Sequence, residues 1–189
     1  MKKGLLIILS GPSGVGKGTV RKYLIEHFGL TFYYSISMTT RAPRAGEEDG
    51  KDYFFVTPET FQRNIDQDNF LEWAEFVNNR YGTPRDIVES YREKGIDVLL
   101  EIETNGAKQV MAKCPDALSI FIVPPSLEEL EARIRGRHTE SEATIQKRMD
   151  KAREEMKLAS NYSYVVANDD VARAAEEIRD IILRARGSF

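Results

Sequence analysis

The stretch GPSGVGKGTV, Gly11–Val20, decides how the rest of the chain is interpreted. A glycine, four further residues and then glycine and lysine is the spacing of a loop whose backbone surrounds a phosphate. The loop follows the apolar run Leu5–Leu9, which lacks alternation and is predicted to be a strand buried on both faces. It opens the helical pattern Lys17–Phe28, which Gly29 is expected to end. This order of elements predicts a nucleotide site, and a glycine-rich turn without a ligand is the alternative.

The phosphate loop has one departure from the usual pattern. Lys17 is predicted to place its charge on the β- and γ-phosphates. Gly18 stands where a Ser or Thr hydroxyl usually holds Mg²⁺, and Thr19 points about 100° further round the helix. Because Mg²⁺ keeps several waters, we expect ATP·Mg²⁺ with the metal held mainly by phosphates and water, and its protein ligands stay open. The predicted ATP-binding residues of the loop are Gly11, Pro12, Ser13, Gly14, Val15, Gly16, Lys17, Gly18 and Thr19.

Length and composition narrow the class of protein. The 189 residues, 41% hydrophobic and 30% charged, fit one globular domain with small inserted lobes. The net charge of -3 argues against a general nucleic-acid partner. Cys114 is the single cysteine, so no internal disulfide framework is expected. No apolar run approaches the roughly 20 residues of a membrane helix, and the N-terminal run does not fit a signal peptide, so we predict a cytoplasmic protein with no membrane partner.

Strand and helix patterns alternate along most of the chain. This alternation predicts an α/β fold with a parallel sheet. The region from about residue 35 to residue 94 breaks the rhythm and is interpreted as an inserted lobe. Further buried strands are predicted at Ile96–Glu103, Leu118–Val123 and Tyr162–Asn168, and helices after Ser126, after Thr139 and in the C-terminal tail.

Helix starts are predicted from two kinds of local signal. Ser126 and Thr139 each precede a glutamate at capping-box spacing. Thr57-Pro58 and Thr83-Pro84 each fit an N-cap followed by proline in the first turn.

Two groups of charged residues indicate where a second substrate binds. Arg41 and Arg44, with Ser37 before and Tyr53 after, suit a clamp for a phosphate dianion; a solvated basic loop is the alternative. Glu101 and Glu103 are predicted to project from one face at the carboxyl end of a strand, where open α/β sheets bind ligands. A surface pair of carboxylates is the alternative there. No Asn-Lys-x-Asp motif of a GTPase occurs.

Taken together, the motifs resemble those of the guanylate kinase family. They are GPSGVGKGT, SMTTRAPRAGEEDGKDYFFV, EWAEFVNNRYGTP, PPSLEELEARIRGRHTES and VANDD, and the resemblance runs from Leu5 to about Arg184. It implies the P-loop nucleoside monophosphate kinase fold, a parallel-sheet core with helices on both faces. The implied parts are a core of residues 1–34, 95–125 and 160–189, a GMP-binding lobe of residues 35–94 and a small helical lid of residues 126–159.

The resemblance also implies a reaction and a role for each matching residue. The reaction is ATP + GMP = ADP + GDP, with Mg²⁺. Glu72 would accept from guanine N1–H and the 2-amino group, with Thr83 near O6. The implied GMP-binding residues are Ser37, Arg41, Arg44, Tyr53, Glu72, Tyr81, Thr83, Glu101 and Glu103; the implied catalytic residues are Lys17, Arg41, Arg137 and Arg148; Asn168 and Asp169 would lie beside the adenine.

Several positions depart from the commonest family pattern, and other readings stay open. Besides Gly18, the departures are Glu103 where Asp is usual, Asn105 where Gln is usual and His138 where a lid glycine is usual. The competing readings are a phosphopeptide-binding module without catalysis and a kinase for another monophosphate such as AMP or UMP. Two further questions stay open, namely whether dGMP is also a substrate and whether the protein is a monomer or a homo-oligomer.

Overall fold

Short strands and helices alternate in the computed structural model, which describes residues 2–136 and 140–187. The strands are Leu6–Ser10 (β1), Tyr33–Tyr34 (β2), Met38–Thr39 (β3), Phe54–Phe55 (β4), Phe70–Phe76 (β5), Asn79–Pro84 (β6), Val98–Glu101 (β7), Leu118–Val123 (β8) and Tyr164–Ala167 (β9). The helices are Lys17–Phe28 (α1), Pro58–Asp66 (α2), Arg85–Glu93 (α3), Thr104–Lys113 (α4), Leu127–Arg135 (α5), Glu142–Met156 (α6) and Val171–Arg186 (α7).

Contacts divide these elements into two units. The first unit contains Met1–Leu6, Phe32–Leu100 and Asn105–Ala117. The second unit contains Ile7–Thr31, Glu101–Thr104 and Leu118–Phe189.

Parallel strands form the centre of the second unit. Strand β8 pairs with β1 through Ile8 and Ser119, and with β9 through Ile122 and Val166. Every residue of β1 is buried, which confirms the predicted two-sided burial, although the strand lies one residue later than predicted. Strand β8 has the predicted bounds, whereas β7 and β9 are shorter than the apolar runs that predicted them.

Helix α1 confirms the pattern that follows the phosphate loop. It covers Lys17–Phe28 as predicted and buries Val20 and Leu24. Gly29 ends it with a left-handed φ of 61°, and its N–H donates to the Leu24 carbonyl.

Helices α5 and α6 pack on each other in the second unit. Their shared apolar cluster consists of Leu130, Ile134, Ile145, Met149 and Ala152. Ser126 caps α5 as predicted, because its hydroxyl accepts from the Glu129 N–H at 3.1 Å. Helix α6 is capped by Ser141, which accepts from the Thr144 N–H, so the predicted cap at Thr139 is wrong; Thr139 itself lies outside the described residues.

The first unit contains a four-stranded sheet in the order β4-β3-β6-β5 and the parallel pair β2–β7. Strands β5 and β6 are antiparallel, with Glu72 opposite Thr83 and a bulge between Phe70 and Glu72. Thr83 therefore lies inside a strand, and the predicted N-cap there is wrong: Pro84 occupies the cap position of α3. The Thr-Pro pattern misleads because the Thr83 hydroxyl has a buried partner across the strand pair.

Two composition-based expectations concern membranes and cysteine. Among residues 2–136 and 140–187, no helix is both long and apolar enough to cross a bilayer. Cys114 is a half-buried free thiol, and burial raises its pKa.

The cap of α2 gives a stability test. Thr57 Oγ1 accepts from the Thr60 N–H at 3.2 Å. Thr57→Ala leaves that first-turn donor without its partner, so we expect a loss of about 1 kcal/mol in the free energy of unfolding. Chemical denaturation followed by circular dichroism measures it. Thr57→Ser, which keeps the hydroxyl, is the control, and an equal loss in both variants would contradict the capping role.

Candidate active site

Left-handed glycines shape the phosphate loop. Gly14 and Gly16 have φ values of 85° and 97°, which residues with a side chain rarely adopt. A Cβ at Gly16 would also lie 2.6 Å from the Asn168 Nδ2, so a side chain there would displace the Asn168 amide. Gly16 is the N-cap of α1, which places the loop at the positive end of that helix. The local geometry is therefore that of an anion site.

Lys17 lies inside this loop. Its Nζ donates to the carbonyl oxygens of Gly11 at 2.8 Å and Pro12 at 3.4 Å. Burial lowers the pKa of the ammonium, while Glu101 and Glu155 act in the opposite direction. The ammonium is thus held by oxygen acceptors that a phosphate could replace.

A cavity of about 320 Å³ lies against the loop. Its walls are Gly11, Ser13, Gly14, Gly16, Lys17, Gly18, Thr19, Glu101, Ile102, Glu103 and Glu155. Its lining therefore contains a cation, exposed loop backbone and three carboxylates, which suits a metal-bound polyphosphate.

The acidic pair is placed differently from the prediction. Glu101 is the last residue of β7, and its Oε2 accepts from the Arg21 Nε at 2.8 Å. Glu103 lies beyond the strand and accepts from the Lys151 Nζ at 3.1 Å. The prediction that Glu101 and Glu103 share one strand face is therefore wrong, because β7 ends before Glu103. Both side chains nevertheless line the cavity.

Position 18 faces one of these carboxylates. A Cβ on Gly18 would lie 3.5 Å from the Glu101 Oε1, an ordinary contact. The place of the usual hydroxyl is therefore beside a carboxylate that could hold a metal-bound water. In the described part of the chain, no three His, Cys, Asp or Glu side chains are grouped as a complete metal site.

Two arginines of α5 and α6 reach the loop. Arg148 donates to the Ser13 Oγ at 2.8 Å and to both Glu140 oxygens. Arg133 donates to the Asn168 carbonyl at 3.0 Å and more weakly to the Val15 carbonyl at 3.5 Å. The predicted catalytic Arg137 lies outside the described residues.

Asn168 and Asp169 differ in their surroundings. Asn168 is buried, and its Nδ2 donates to the Val15 carbonyl at 2.8 Å. Its Oδ1 is also buried and has no hydrogen-bond partner among the described residues. Asp169 accepts instead from the Arg173 Nε at 2.7 Å, and this hydrogen bond lowers the pKa of the carboxyl.

In the first unit, Arg41 lies close to two of the residues predicted with it, Tyr53 and Tyr81. Its guanidinium lies 4.8 Å from the centre of the Tyr53 ring, which meets the Tyr81 ring edge to face. The hydrogen bonds to Glu47, and to a lesser extent those to both tyrosines, favour the charged form and raise the pKa of Arg41.

Glu47 is a partner that the sequence did not single out. Its carboxylate accepts from the two terminal nitrogens of Arg41 at 2.7 and 2.8 Å and from the Arg44 N–H at 2.8 Å. These hydrogen bonds lower the pKa of Glu47 to about 2. The position is one acid within GEED, and only the folded loop shows which of the three acids meets Arg41.

Glu72 and Thr83 form a buried polar pair in the first unit. Thr83 Oγ1 donates to the Glu72 Oε1 at 2.7 Å. Glu72 is 9% exposed and Thr83 2%. A carboxylate held in this way can accept from a neighbouring pair of N–H donors, as a guanine edge would require.

Glu155 was also missed by the sequence reasoning. It lies on α6, is 6% exposed and lines the loop cavity. Its Oε1 accepts from the Thr104 Oγ1 at 3.4 Å, its Oε2 has no partner among the described residues, and burial raises its pKa. No sequence signal marks it, because it stands in the charged run KAREEMK.

Comparison with known proteins shows which family model, curated protein and solved structures this chain is similar to. The family model described as guanylate kinase matches residues 3–185. A curated guanylate kinase of Latilactobacillus sakei subsp. sakei (strain 23K) is 53% identical over 180 residues, which cover 95% of this chain and 89% of that protein. The crystal structure of guanylate kinase from Anaplasma phagocytophilum matches with a TM-score of 0.72 at 37% identity, over 98% of this chain and 87% of that one. An uncharacterized protein from Eubacterium ventriosum ATCC 27560 shares the fold, with a TM-score of 0.50 at 19% identity over 95% and 98% of the two chains.

The Arg41–Glu47 pair predicts an unusual titration. With its pKa lowered from 4.5 to about 2, the Glu47 carboxyl stays ionised when unpaired glutamates protonate. The stabilisation from the pair is complete above the ordinary pKa and is lost progressively as the pH falls from there through the lowered one. Carboxyl ¹³C NMR between pH 7 and pH 3.5 should show no titration of Glu47. In Arg41→Ala the same carbon should titrate within that window, and titration there in the unaltered protein would contradict the pairing.

Proposed function

The chain belongs to the guanylate kinase family, and from that premise we propose that it transfers the γ-phosphoryl group of ATP to GMP, giving ADP and GDP. The observation that supports this proposal most directly is the phosphate loop with Lys17 in its cavity. The proposed location is the cytoplasm.

The second unit supplies the proposed ATP site. Loop residues 11–19 surround the β- and γ-phosphates with backbone N–H groups, and Lys17 exchanges its carbonyl acceptors for phosphate oxygens. Asn168 and Asp169 are the residues proposed to lie beside the adenine.

Mg²⁺ is proposed to accompany ATP. The residues fit it, since Glu101 and Glu103 line the loop cavity and carboxylate oxygens suit the waters of a hydrated ion. When bound, Mg²⁺ would supply positive charge that offsets the negative charge developing on the phosphates during transfer. Gly18 contributes no hydroxyl, so Glu101 beside it is the proposed substitute.

GMP is proposed to bind first-unit residues through its two ends. Arg41, Arg44, Ser37, Tyr53 and Tyr81 hold its phosphate. As the phosphate arrives, it takes over hydrogen bonds that Glu47 now accepts from Arg41. At the other end, Glu72 accepts from guanine N1–H and the 2-amino group, and Thr83 lies near O6. Adenine presents an acceptor at N1, so the carboxylate repels it.

The transfer needs charge neutralisation more than acid-base chemistry. The attacking oxygen belongs to a phosphate with a second pKa near 6, so it is largely ionised at pH 7 and needs no general base. It forms a bond to the γ-phosphorus while the bond to the β-bridging oxygen breaks, and ADP leaves. Lys17, Arg41, Arg137 and Arg148 are the proposed catalytic cations. Residues 126–159 are the proposed lid that keeps water from the reacting phosphate.

The decisive experiment measures ADP release from ATP·Mg²⁺ with GMP, dGMP, AMP, UMP, CMP or no acceptor. We expect turnover with GMP and none with AMP, UMP or CMP. In Lys17→Met, which removes the charge from the loop, we expect turnover to fall by about a thousandfold. Saturable GMP binding without turnover would favour the phosphopeptide-module class instead, and turnover with AMP or UMP would favour another monophosphate kinase.

The role of Glu72 predicts a change in selectivity. Glu72→Ala removes the acceptor for two guanine donors, so kcat/KM for GMP should fall about a hundredfold or more while KM for ATP stays the same. Steady-state kinetics with GMP and AMP as acceptors measure the ratio. The exposed Glu75→Ala on the same strand is the control. An unchanged GMP-to-AMP ratio in Glu72→Ala would contradict guanine recognition by this carboxylate.

A further inference from the structure

In the first unit, α4 is fastened along β5 at two places. Lys113 Nζ donates to the Phe70 carbonyl at 2.7 Å. One turn earlier, the Gln109 side chain accepts from the Trp73 N–H and donates to the Trp73 carbonyl, both at 3.1 Å. These bonds fix the distance between the helix and the strand.

Gly106 lies on the same face of the helix, three residues before Gln109. A Cβ there would lie 2.9 Å from the Oε2, 3.2 Å from the Cδ and 3.4 Å from the Cγ of Glu72. The backbone at Gly106 is helical and not left-handed, so conformation does not require glycine. Alanine has a higher helix propensity than glycine, so helix formation does not favour glycine either. The remaining physical reason for glycine at position 106 is the space that the Glu72 carboxylate occupies.

The carboxylate is confined on its other side too. Thr83 donates to its Oε1 at 2.7 Å, and Glu72 is 9% exposed. The first turn of α4 carries partial positive charge, which stabilises a carboxylate placed against it. A methyl group at position 106 could be accommodated only if the Glu72 carboxylate moves, because Gln109 and Lys113 hold the helix in place.

We infer that Gly106 is a specificity-determining positioning residue, whose missing side chain sets where the Glu72 carboxylate meets the guanine edge. This inference rests on the proposed phosphorylation of GMP. Gly106 acts through Glu72 and touches no substrate itself. Displacing the carboxylate by a few tenths of an ångström would misalign both of its hydrogen bonds to the base.

The first test is Gly106→Ala. We expect kcat/KM for GMP to fall about tenfold, mainly through KM for GMP, with KM for ATP unchanged. Lys108→Ala, at an exposed position of the same helix, is the matched control and should keep the kinetics of the unaltered protein. The thermal unfolding midpoint of Gly106→Ala should stay the same or rise. A marked fall would overturn the inference, since the methyl group would then disturb helix packing.

A double-mutant cycle separates positioning from a general defect. In a Glu72→Ala background no carboxylate remains to be displaced, so adding Gly106→Ala should leave kcat/KM for GMP unchanged. An equal fall in both backgrounds, or no fall in either, would overturn the inference. Turnover of GMP by the unaltered protein is measured first, so a failure of the proposed function is recognised separately.

Discussion

The Val15 carbonyl is the point on which the phosphate loop depends. Loop N–H groups can converge on an anion only if the carbonyls of the same peptides point away, and a buried carbonyl needs donors. Val15 finds them in the Asn168 Nδ2 at 2.8 Å and, more weakly, in Arg133. Residues from the end of β9 and from α5 thereby hold a loop that follows β1. The left-handed Gly16 completes the turn into α1.

Three described cations of the proposed phosphate sites have internal oxygen partners. Lys17 donates to two loop carbonyls, Arg41 to Glu47 and Arg148 to Glu140. A cation partly removed from water is costly unless it is hydrogen-bonded, so these acceptors keep each one in place before a ligand arrives. A phosphate dianion carries more charge than a carboxylate or a carbonyl and can replace them. Such partners hold the donors in position before a phosphate binds. Because the phosphate must displace them, its binding free energy is less favourable than it would be with unpaired donors.

Local signals predicted the elements whose causes are local. The bounds of α1 follow from apolar spacing and a terminal glycine, and the cap of α2 follows from a Thr-Pro pair. The same Thr-Pro pattern gave a wrong prediction of an N-cap at Thr83. There a buried hydrogen bond to Glu72 outweighs a capping preference worth about 1 kcal/mol. The strand that ends at Glu101 was predicted too long for a related reason. An apolar run shows which residues are buried and does not show where strand pairing stops.

For the candidate site, the sequence by itself determined the phosphate loop, because glycine spacing and one lysine form an anion site from a single continuous segment. It also indicated the arginines of residues 41–44, whose neighbours in the chain remain their neighbours in the fold. Only the tertiary structure decided that Glu47 pairs with Arg41, that Glu155 lines the loop cavity and that Gly106 adjoins Glu72. The physical reason is that Glu155 and Gly106 meet partners far along the chain, and that Glu47 is one of three similar acids until the loop folds. No local periodicity records such contacts.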